Sequence, residues 1–229
     1  MKNPQLSRRD FVNAALATGL VTIVPRTALG GPDFVPPSEK IHIGYVGCGT
    51  QGLRQMMSAL KHPGVRIVAV CDPNRKSDDY PEWGPGEIVG KIRAFLEDPQ
   101  WGTGARGGLC GREVGLEVVS RYYAKQSDRA SDDKPACRAY SDFRQMLADE
   151  KDLDAVYIMT PDHLHGVIAA RALKAGKHAI THKPISNVWQ EVRLLRDLAK
   201  ETGLATQLFC AAGNPEASTI AEWIAAGAI

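Results

Sequence analysis

The chain has 229 residues, of which 44% are hydrophobic and 24% charged, a composition that excludes a disordered or fibrous protein. This length allows one large domain, or one ordinary domain with extensions. The formal net charge is only +2, from 28 basic and 26 acidic residues, so nothing in the charge indicates a nucleic-acid partner. The five cysteines include no CxxC pair, and an odd number cannot close a disulfide framework. Cys110 and Cys137 share a polar stretch and are the one candidate pair.

Residues 1–30 are predicted to be a targeting segment that takes no part in the fold. Ser7-Arg8-Arg9-Asp10-Phe11-Val12 has the twin-arginine pattern. The apolar stretch that follows, 11–24, is too short to span a bilayer stably, and Ala28-Leu29-Gly30 offers small residues to a signal peptidase. We therefore expect the twin-arginine export machinery to deliver the folded protein to the periplasm or the cell exterior. The alternative is a basic N-terminal helix that stays attached. Residues 31–39 contain three prolines and are predicted to be a linker.

Strands and helices then alternate along the chain. Lys40–Val46 and Val65–Cys71 are short apolar runs typical of buried parallel strands. Between them, apolar residues at positions 53, 56, 57 and 60 have helical spacing. Later helices are predicted at 142–148, 164–175, 188–200 and 216–226, and later strands at 155–159, 177–181 and 204–208. This order predicts an α/β fold over 40–229, built on a doubly wound parallel sheet.

The stretch from about 75 to 136 interrupts this alternation. It is rich in Gly, Asp, Pro and Trp, and two short helices are predicted within it, at Glu87–Leu96 and Arg112–Tyr123. Insertions of this length are usually functional. The hypothesis is that it covers part of the active site or forms an oligomer contact, and the alternative is a simple surface embellishment.

A glycine-rich motif follows the first predicted strand. Gly47-Cys48-Gly49-Thr50-Gln51-Gly52 fits G-x-G-x-x-G and opens a predicted helix, and Asp72 stands twenty residues after Gly52 at the end of the next strand. In that context the motif predicts a dinucleotide site of Rossmann type, with the pyrophosphate at the helix N-terminus and Asp72 on the adenosine ribose. A carboxylate repels a 2′-phosphate, which favours NAD over NADP, although Arg75 could offset that repulsion. A glycine-rich turn without a ligand is the alternative.

Two further motifs follow later strands. Thr160-Pro161-Asp162-His163-Leu164-His165 and Thr181-His182-Lys183-Pro184 both come directly after a predicted strand, and therefore lie at the carboxyl edge of the sheet, where dinucleotides bind. His163 and His165 are two residues apart at a helix start and do not share a face. We therefore expect no metal site, and expect His165 to cap or pack in the cofactor cleft, or to be purely structural.

These motifs together resemble the glucose–fructose oxidoreductase / inositol dehydrogenase (Gfo/Idh/MocA) family. GCGTQG, VCDPN, TPDHLH and AGKHAITHKPIS match family segments in order and spacing from about Ile41 to the end, the insertion excepted. The resemblance implies NAD(P)-dependent oxidation or reduction of sugars, inositols or related polyols. It also implies that Lys183, matching the lysine of the Glu-Lys-Pro motif, is catalytic, and that Thr160, Pro161, His165, His182, Lys183 and Pro184 lie at the cofactor.

The chain departs from the family pattern in two ways. His182 stands where the family usually has glutamate, which leaves the role of that position open. The family's second domain, a largely antiparallel sheet with the substrate pocket and the usual oligomer interface, is expected to be missing here, so the 229 residues alone are predicted to be inactive. The complete protein is expected to form a homo-oligomer. The alternatives to a dehydrogenase are an NAD-using glycosidase of the same family and a non-catalytic dinucleotide-binding module.

Overall fold

The computed structural model describes residues 35–82, 84–125, 137–209 and 215–228. The predicted targeting segment at 1–30 lies outside these described residues. The chain divides into two units, Met1–Glu39 and Lys40–Ile229, and the described part of the first contains a short 3-10 helix, Pro37–Glu39. Within the described ranges, no helix combines the length and the apolar character needed to cross a membrane.

The second unit consists of alternating strands and helices. Its strands are β1 (Ile41–Val46), β2 (Val65–Cys71), β3 (Ser77–Tyr80), β4 (Gly108–Cys110), β5 (Arg138–Tyr140), β6 (Ala155–Ile158), β7 (His178–His182) and β8 (Thr206–Phe209). Its helices are α1 (Thr50–Leu60), α2 (Glu87–Leu96), α3 (Arg112–Lys125), α4 (Phe143–Asp149), α5 (Asp162–Lys174), α6 (Trp189–Thr202) and α7 (Pro215–Ala225).

Six of the strands form one parallel sheet in the order β5-β2-β1-β6-β7-β8. Numbered along the chain within this sheet, the order is 3-2-1-4-5-6, which is the doubly wound Rossmann arrangement. The predicted fold class is thereby confirmed. The strand order reverses between β1 and β6, which pair from Ile43–Ala155 to Val46–Ile158. Ligands of such sheets bind in the crevice at the carboxyl ends of the strands at this reversal.

The core lies on both faces of the sheet because successive side chains of a strand point to opposite faces. On one face, Ile43 and Tyr45 pack in a cluster with residues of α1, α2 and α3. On the other, Val46 packs with residues of α4, α5 and α6. Four cysteines in these clusters are free and buried, so the candidate pair Cys110–Cys137 forms no disulfide.

The stretch after β2 contributes to this core. Ile88, Ile92 and Leu96 of α2 are buried in the same cluster as the apolar face of α1. Helix α3 packs against β2 and β5 and is the crossover between these two strands. The predicted helix at Glu87–Leu96 is confirmed, and the one at 112–123 extends to Lys125.

Three strands in or after that stretch were not predicted. β3 and β4 pair with each other in a small antiparallel sheet, and β5 is the edge strand beside β2. β5 has three residues, of which Tyr140 alone is buried. Strands are recognised by apolar runs or alternation over four or more residues. β4 and β5 have only three residues each and β3 is Ser-Asp-Asp-Tyr, so none of them gives a signal.

Candidate functional site

The loop between β1 and α1 is shaped by glycine at position 47. Gly47 has φ +101°, a backbone conformation that residues other than glycine rarely adopt. Its N–H donates to the carbonyl oxygen of Cys71 at 2.8 Å. A Cβ here would overlap the carbonyl of Met159 and lie 2.9 Å from the nitrogen of Thr160. The chain therefore makes its turn in close contact with the end of β6, at the reversal of the sheet.

Helix α1 begins directly against this turn. Gly49 is its N-cap, and a Cβ on Gly52 would overlap the carbonyl oxygen of Gly47 and lie 2.9 Å from its carbonyl carbon. The hydroxyl of Tyr45 donates to the carbonyl oxygen of Gly52 at 2.7 Å. The first-turn N–H groups have no acceptor within a helix, so the end formed by Gly49, Thr50 and Gln51 offers donors to an anion.

Asp72 follows β2 and hydrogen-bonds the loop between β1 and α1, residues 47–49, which we call the glycine loop. Its side chain is only 6% exposed. One carboxylate oxygen accepts from the N–H of Cys48 at 2.7 Å, and the other accepts from the N–H of Asn74 at 2.9 Å. Each oxygen keeps a second lone pair, so the carboxylate can still accept hydroxyl protons. Arg75 is turned to α3, where its guanidinium pairs with Glu113 at 2.5 Å.

His165 connects the loops that follow β6 and β7. The side chain is fully buried in the first turns of α5, and its Nε2 lies 2.8 Å from the carbonyl oxygen of Thr160. Its Nδ1 lies 2.6 Å from the carbonyl oxygen of Pro184. Both partners are acceptors, so a neutral ring donates to one of them at a time. The position is structural in the sense that it holds two loops of the cleft together.

Thr160 and Pro161 lie between β6 and α5. Pro161 is the N-cap of α5. The side-chain hydroxyl of Thr160 is buried and has no hydrogen-bond partner among the described residues. Buried hydroxyls are normally satisfied, so this one marks a place where a bound group can supply a partner.

His182 and Lys183 lie at the end of β7. Nδ1 of His182 donates to the carbonyl oxygen of Lys183 at 3.2 Å, and its ring stacks on Phe209 at 5.6 Å between centroids. Burial lowers the pKa of His182, and the nearby Lys183 ammonium lowers it further, against a raising effect of the bond to the carbonyl. Lys183 is exposed, and Lys183–Pro184 is a cis peptide.

Taken together, the predicted site residues lie at the carboxyl ends of β1, β2, β6 and β7. The described residues contain no group of three or more His, Cys, Asp or Glu arranged to hold a metal ion. Of the two motif histidines, His163 is exposed and His165 buried.

Two residues of this edge were not predicted from the sequence. Phe209 ends β8 one residue beyond the predicted strand, and its contact with His182 depends on the pairing of β7 with β8. Tyr80 ends β3, and its Cε1 lies 3.1 Å from the position of a Cβ on Gly49. Nothing in the polar stretch around Tyr80 marks it, because the contact depends on how the β3–β4 pair packs on the glycine loop.

Comparison with known proteins finds a family similarity over part of the chain. Residues 111–209 match the model of GFO_IDH_MocA, an oxidoreductase family with an NAD-binding Rossmann fold. In the solved structures, the WlbA dehydrogenase from Bordetella pertussis, in complex with NADH and UDP-GlcNAcA, superposes with a TM-score of 0.52 at 19% identity. That match covers 82% of this chain and 42% of that one, and it shows a shared fold.

Several curated relatives are similar over parts of the chain. A dTDP-3,4-didehydro-2,6-dideoxy-alpha-D-glucose 3-reductase from Streptomyces violaceoruber is 38% identical over 87 residues, which is 38% of this chain and 25% of the relative. A levoglucosan dehydrogenase from Pseudarthrobacter phenanthrenivorans is 34% identical over 90 residues, 39% of this chain and 23% of the relative. A glycosyl hydrolase family 109 protein from Shewanella pealeana is 24% identical over 213 residues, 86% of this chain and 38% of the relative.

The chain thus spans between about a quarter and two fifths of the length of these curated relatives. Within that span, the strand order, the glycine loop at its reversal and the family match agree with one another. Over residues 111–209 the chain is therefore similar to the NAD-binding Rossmann domain of the Gfo/Idh/MocA oxidoreductases.

Proposed function

We propose that the protein is an NAD-dependent oxidoreductase that transfers hydride between a sugar, inositol or related polyol and nicotinamide. The observation that carries this proposal is the convergence of the glycine loop, Asp72 and Lys183 on one edge of the sheet. The names of the relatives from Streptomyces and Pseudarthrobacter, a reductase and a dehydrogenase of sugar compounds, support the substrate class.

The residues at this edge fit NAD. Because Gly47 and Gly52 have no side chains, the end of β1 and the start of α1 come into close contact. The backbone N–H groups at the start of α1 then face the pyrophosphate. Asp72 receives the adenosine ribose, and the unpartnered hydroxyl of Thr160 is satisfied by the bound cofactor. NAD is preferred to NADP because the Asp72 carboxylate repels a 2′-phosphate and Arg75 is engaged by Glu113.

Lys183 acts on the substrate. When bound, the nicotinamide ring supplies the chemistry of hydride transfer. The ammonium of Lys183, exposed at the end of β7, hydrogen-bonds the reacting hydroxyl and stabilises the negative charge that develops on its oxygen. His182 positions this lysine through its carbonyl group. Since the pKa of His182 is lowered, its ring is neutral at neutral pH. It therefore gives Lys183 no negatively charged partner such as the glutamate of the family pattern.

Export is the second part of the proposal. The Arg8-Arg9 pattern and the apolar stretch behind it support twin-arginine transport to the periplasm or the exterior. That route moves folded proteins, which suits an enzyme that captures its dinucleotide in the cytoplasm and carries it out. The complete enzyme is proposed to be a homo-oligomer, as the family resemblance implies.

A glycosidase is the second candidate. The relative from Shewanella, named as a glycosyl hydrolase family 109 protein, is similar over 86% of this chain. An NAD-using glycosidase oxidises and then re-reduces its sugar, so NADH does not accumulate during turnover. A dehydrogenase accumulates NADH in step with product, and absorbance at the nicotinamide band therefore separates the two candidates.

Cofactor binding tests the proposal directly. We expect saturable NADH binding by nicotinamide fluorescence, weaker NADPH binding, and reduced NADH affinity in Asp72→Ala. In the complete protein, Lys183→Ala should largely keep NADH binding and lose turnover, whereas Lys200→Ala, at an exposed position on α6, should keep both. A folded protein that does not bind NADH would refute the proposed function, and full turnover in Lys183→Ala would refute the role of that lysine.

A further inference from the structure

The ring of Tyr80 lies on the glycine loop. Its Cε1 would be 3.1 Å, and its Cδ1 3.5 Å, from a Cβ at Gly49, so the ring occupies the side-chain direction of the second glycine of the motif. Tyr80 is half-buried, with its hydroxyl beside the side chain of Asn74. Burial raises the pKa of Tyr80, and the charge of Asp72 raises it further. The ring therefore packs on Gly49, the residue after Cys48, whose N–H donates to Asp72.

The antiparallel pair of β3, which carries Tyr80, and β4 is held against the glycine loop at several points. β3 pairs with β4 from Ser77–Cys110 to Tyr80–Gly108. The hydroxyl of Thr50 donates to the carbonyl oxygen of Pro81 at 3.2 Å. The N–H of Gly111, directly after β4, donates to the carbonyl oxygen of Cys48 at 2.9 Å. These hydrogen bonds, one on each side of Gly49, hold the β3–β4 pair against the glycine loop. The ring of Tyr80 is therefore a fixed boundary of the cleft.

The position of this boundary indicates what it contacts. In this fold the aspartate after the second strand binds the adenosine ribose, and the second glycine approaches the pyrophosphate. The ribose joins these two points through its 5′ carbon. A ring that packs on Gly49, next to the residue whose N–H binds Asp72, lies beside the path of the ribose and the first phosphate.

We propose that Tyr80 forms the outer wall of the adenosine-ribose part of the cofactor site, an inference that rests on the proposed function. The face of the ring packs on the sugar, while the hydroxyl stays with Asn74. The antiparallel pair β3–β4, which lies outside the family match at 111–209, thereby supplies a cofactor contact to the domain.

The test compares ligands with and without the adenosine half. We expect Tyr80→Ala to weaken binding of ADP-ribose and of NADH by roughly ten-fold, about the worth of one aromatic contact, and to leave binding of reduced nicotinamide mononucleotide unchanged. Tyr80→Phe, which keeps the ring, should bind ADP-ribose within about two-fold of the unsubstituted protein on the same reasoning. Tyr122→Ala is the matched control, because Tyr122 lies on α3 and stacks on Phe95.

Unchanged or tighter ADP-ribose binding in a folded Tyr80→Ala variant would overturn the inference; tighter binding would mean that the ring fills the site. If that variant does not fold, tyrosine ring signals of the unsubstituted protein decide the question, with Tyr80 assigned through Tyr80→Phe. ADP-ribose must shift the Tyr80 signal, and an unmoved signal overturns the inference. Should the unsubstituted protein bind neither ADP-ribose nor NADH, the proposed function itself would fail, which is a different result from loss of the Tyr80 effect alone.

Discussion

The same substitution, glycine to alanine, should have opposite effects at two helical positions. Gly52 lies in α1, where a Cβ would overlap the carbonyl oxygen of Gly47 and come within 2.9 Å of its carbonyl carbon. Gly90 lies in the middle of α2, is exposed, and has no atom within 4 Å of the Cβ position. Comparing the two substitutions separates the effect of close packing at the glycine loop from the general preference of helices for alanine.

The magnitudes follow from two terms. Alanine is favoured over glycine inside a helix by about 1 kcal/mol, and at Gly90 nothing opposes this gain. At Gly52 the added methyl must displace backbone, and overpacking costs up to about 3 kcal/mol. Gly52→Ala should therefore destabilise the protein by about 2 kcal/mol after the helix term is subtracted. With about 3 °C per kcal/mol for a domain of this size, Tm should fall by about 6 °C, whereas Gly90→Ala should raise it by about 3 °C.

The assay is thermal unfolding for Tm and urea unfolding for the free energy, both followed by circular dichroism, with NADH binding measured on the same samples. Gly52→Ala should also weaken NADH binding because the loop moves away from the start of α1, and Gly90→Ala should bind NADH like the unsubstituted protein. If Gly52→Ala were as stable as Gly90→Ala, the close approach of α1 to the loop would not be a constraint, and the reasoning would be refuted.

Two further predictions concern charged or titrating groups at the cleft. Asp72→Asn should lower the free energy of unfolding by about 1–3 kcal/mol, because the new amide cannot accept from both backbone N–H groups and leaves one buried donor unsatisfied; equal unfolding midpoints in urea would contradict this. Burial lowers the pKa of His182 below its ordinary value of 6.5, so the stability that depends on its neutral ring is complete above about pH 6.5 and declines as pH falls through the folded-state pKa. An NMR titration, with His182→Gln for assignment, should give a midpoint below 6.5, and a midpoint above it would disprove the direction.

Much of the architecture could be predicted from the sequence because it is encoded locally. The apolar residues of α1 recur at helical spacing, and β1 and β2 are uninterrupted apolar runs. The motif at 47–52 needs glycine for reasons that act within a few residues. Its place between a strand and a helix therefore predicts a dinucleotide site from the sequence alone.

What the sequence alone determined, then, is the strand–helix alternation, the fold class and the residues that follow the carboxyl ends of β1, β2, β6 and β7. The tertiary structure decided the rest. It placed β5 at the sheet edge, brought His165 between two loops, and set Tyr80 on Gly49. These features depend on pairing and packing between segments far apart in the chain. Periodicity reports which face of an element is buried, but it carries no information about which distant segment covers it.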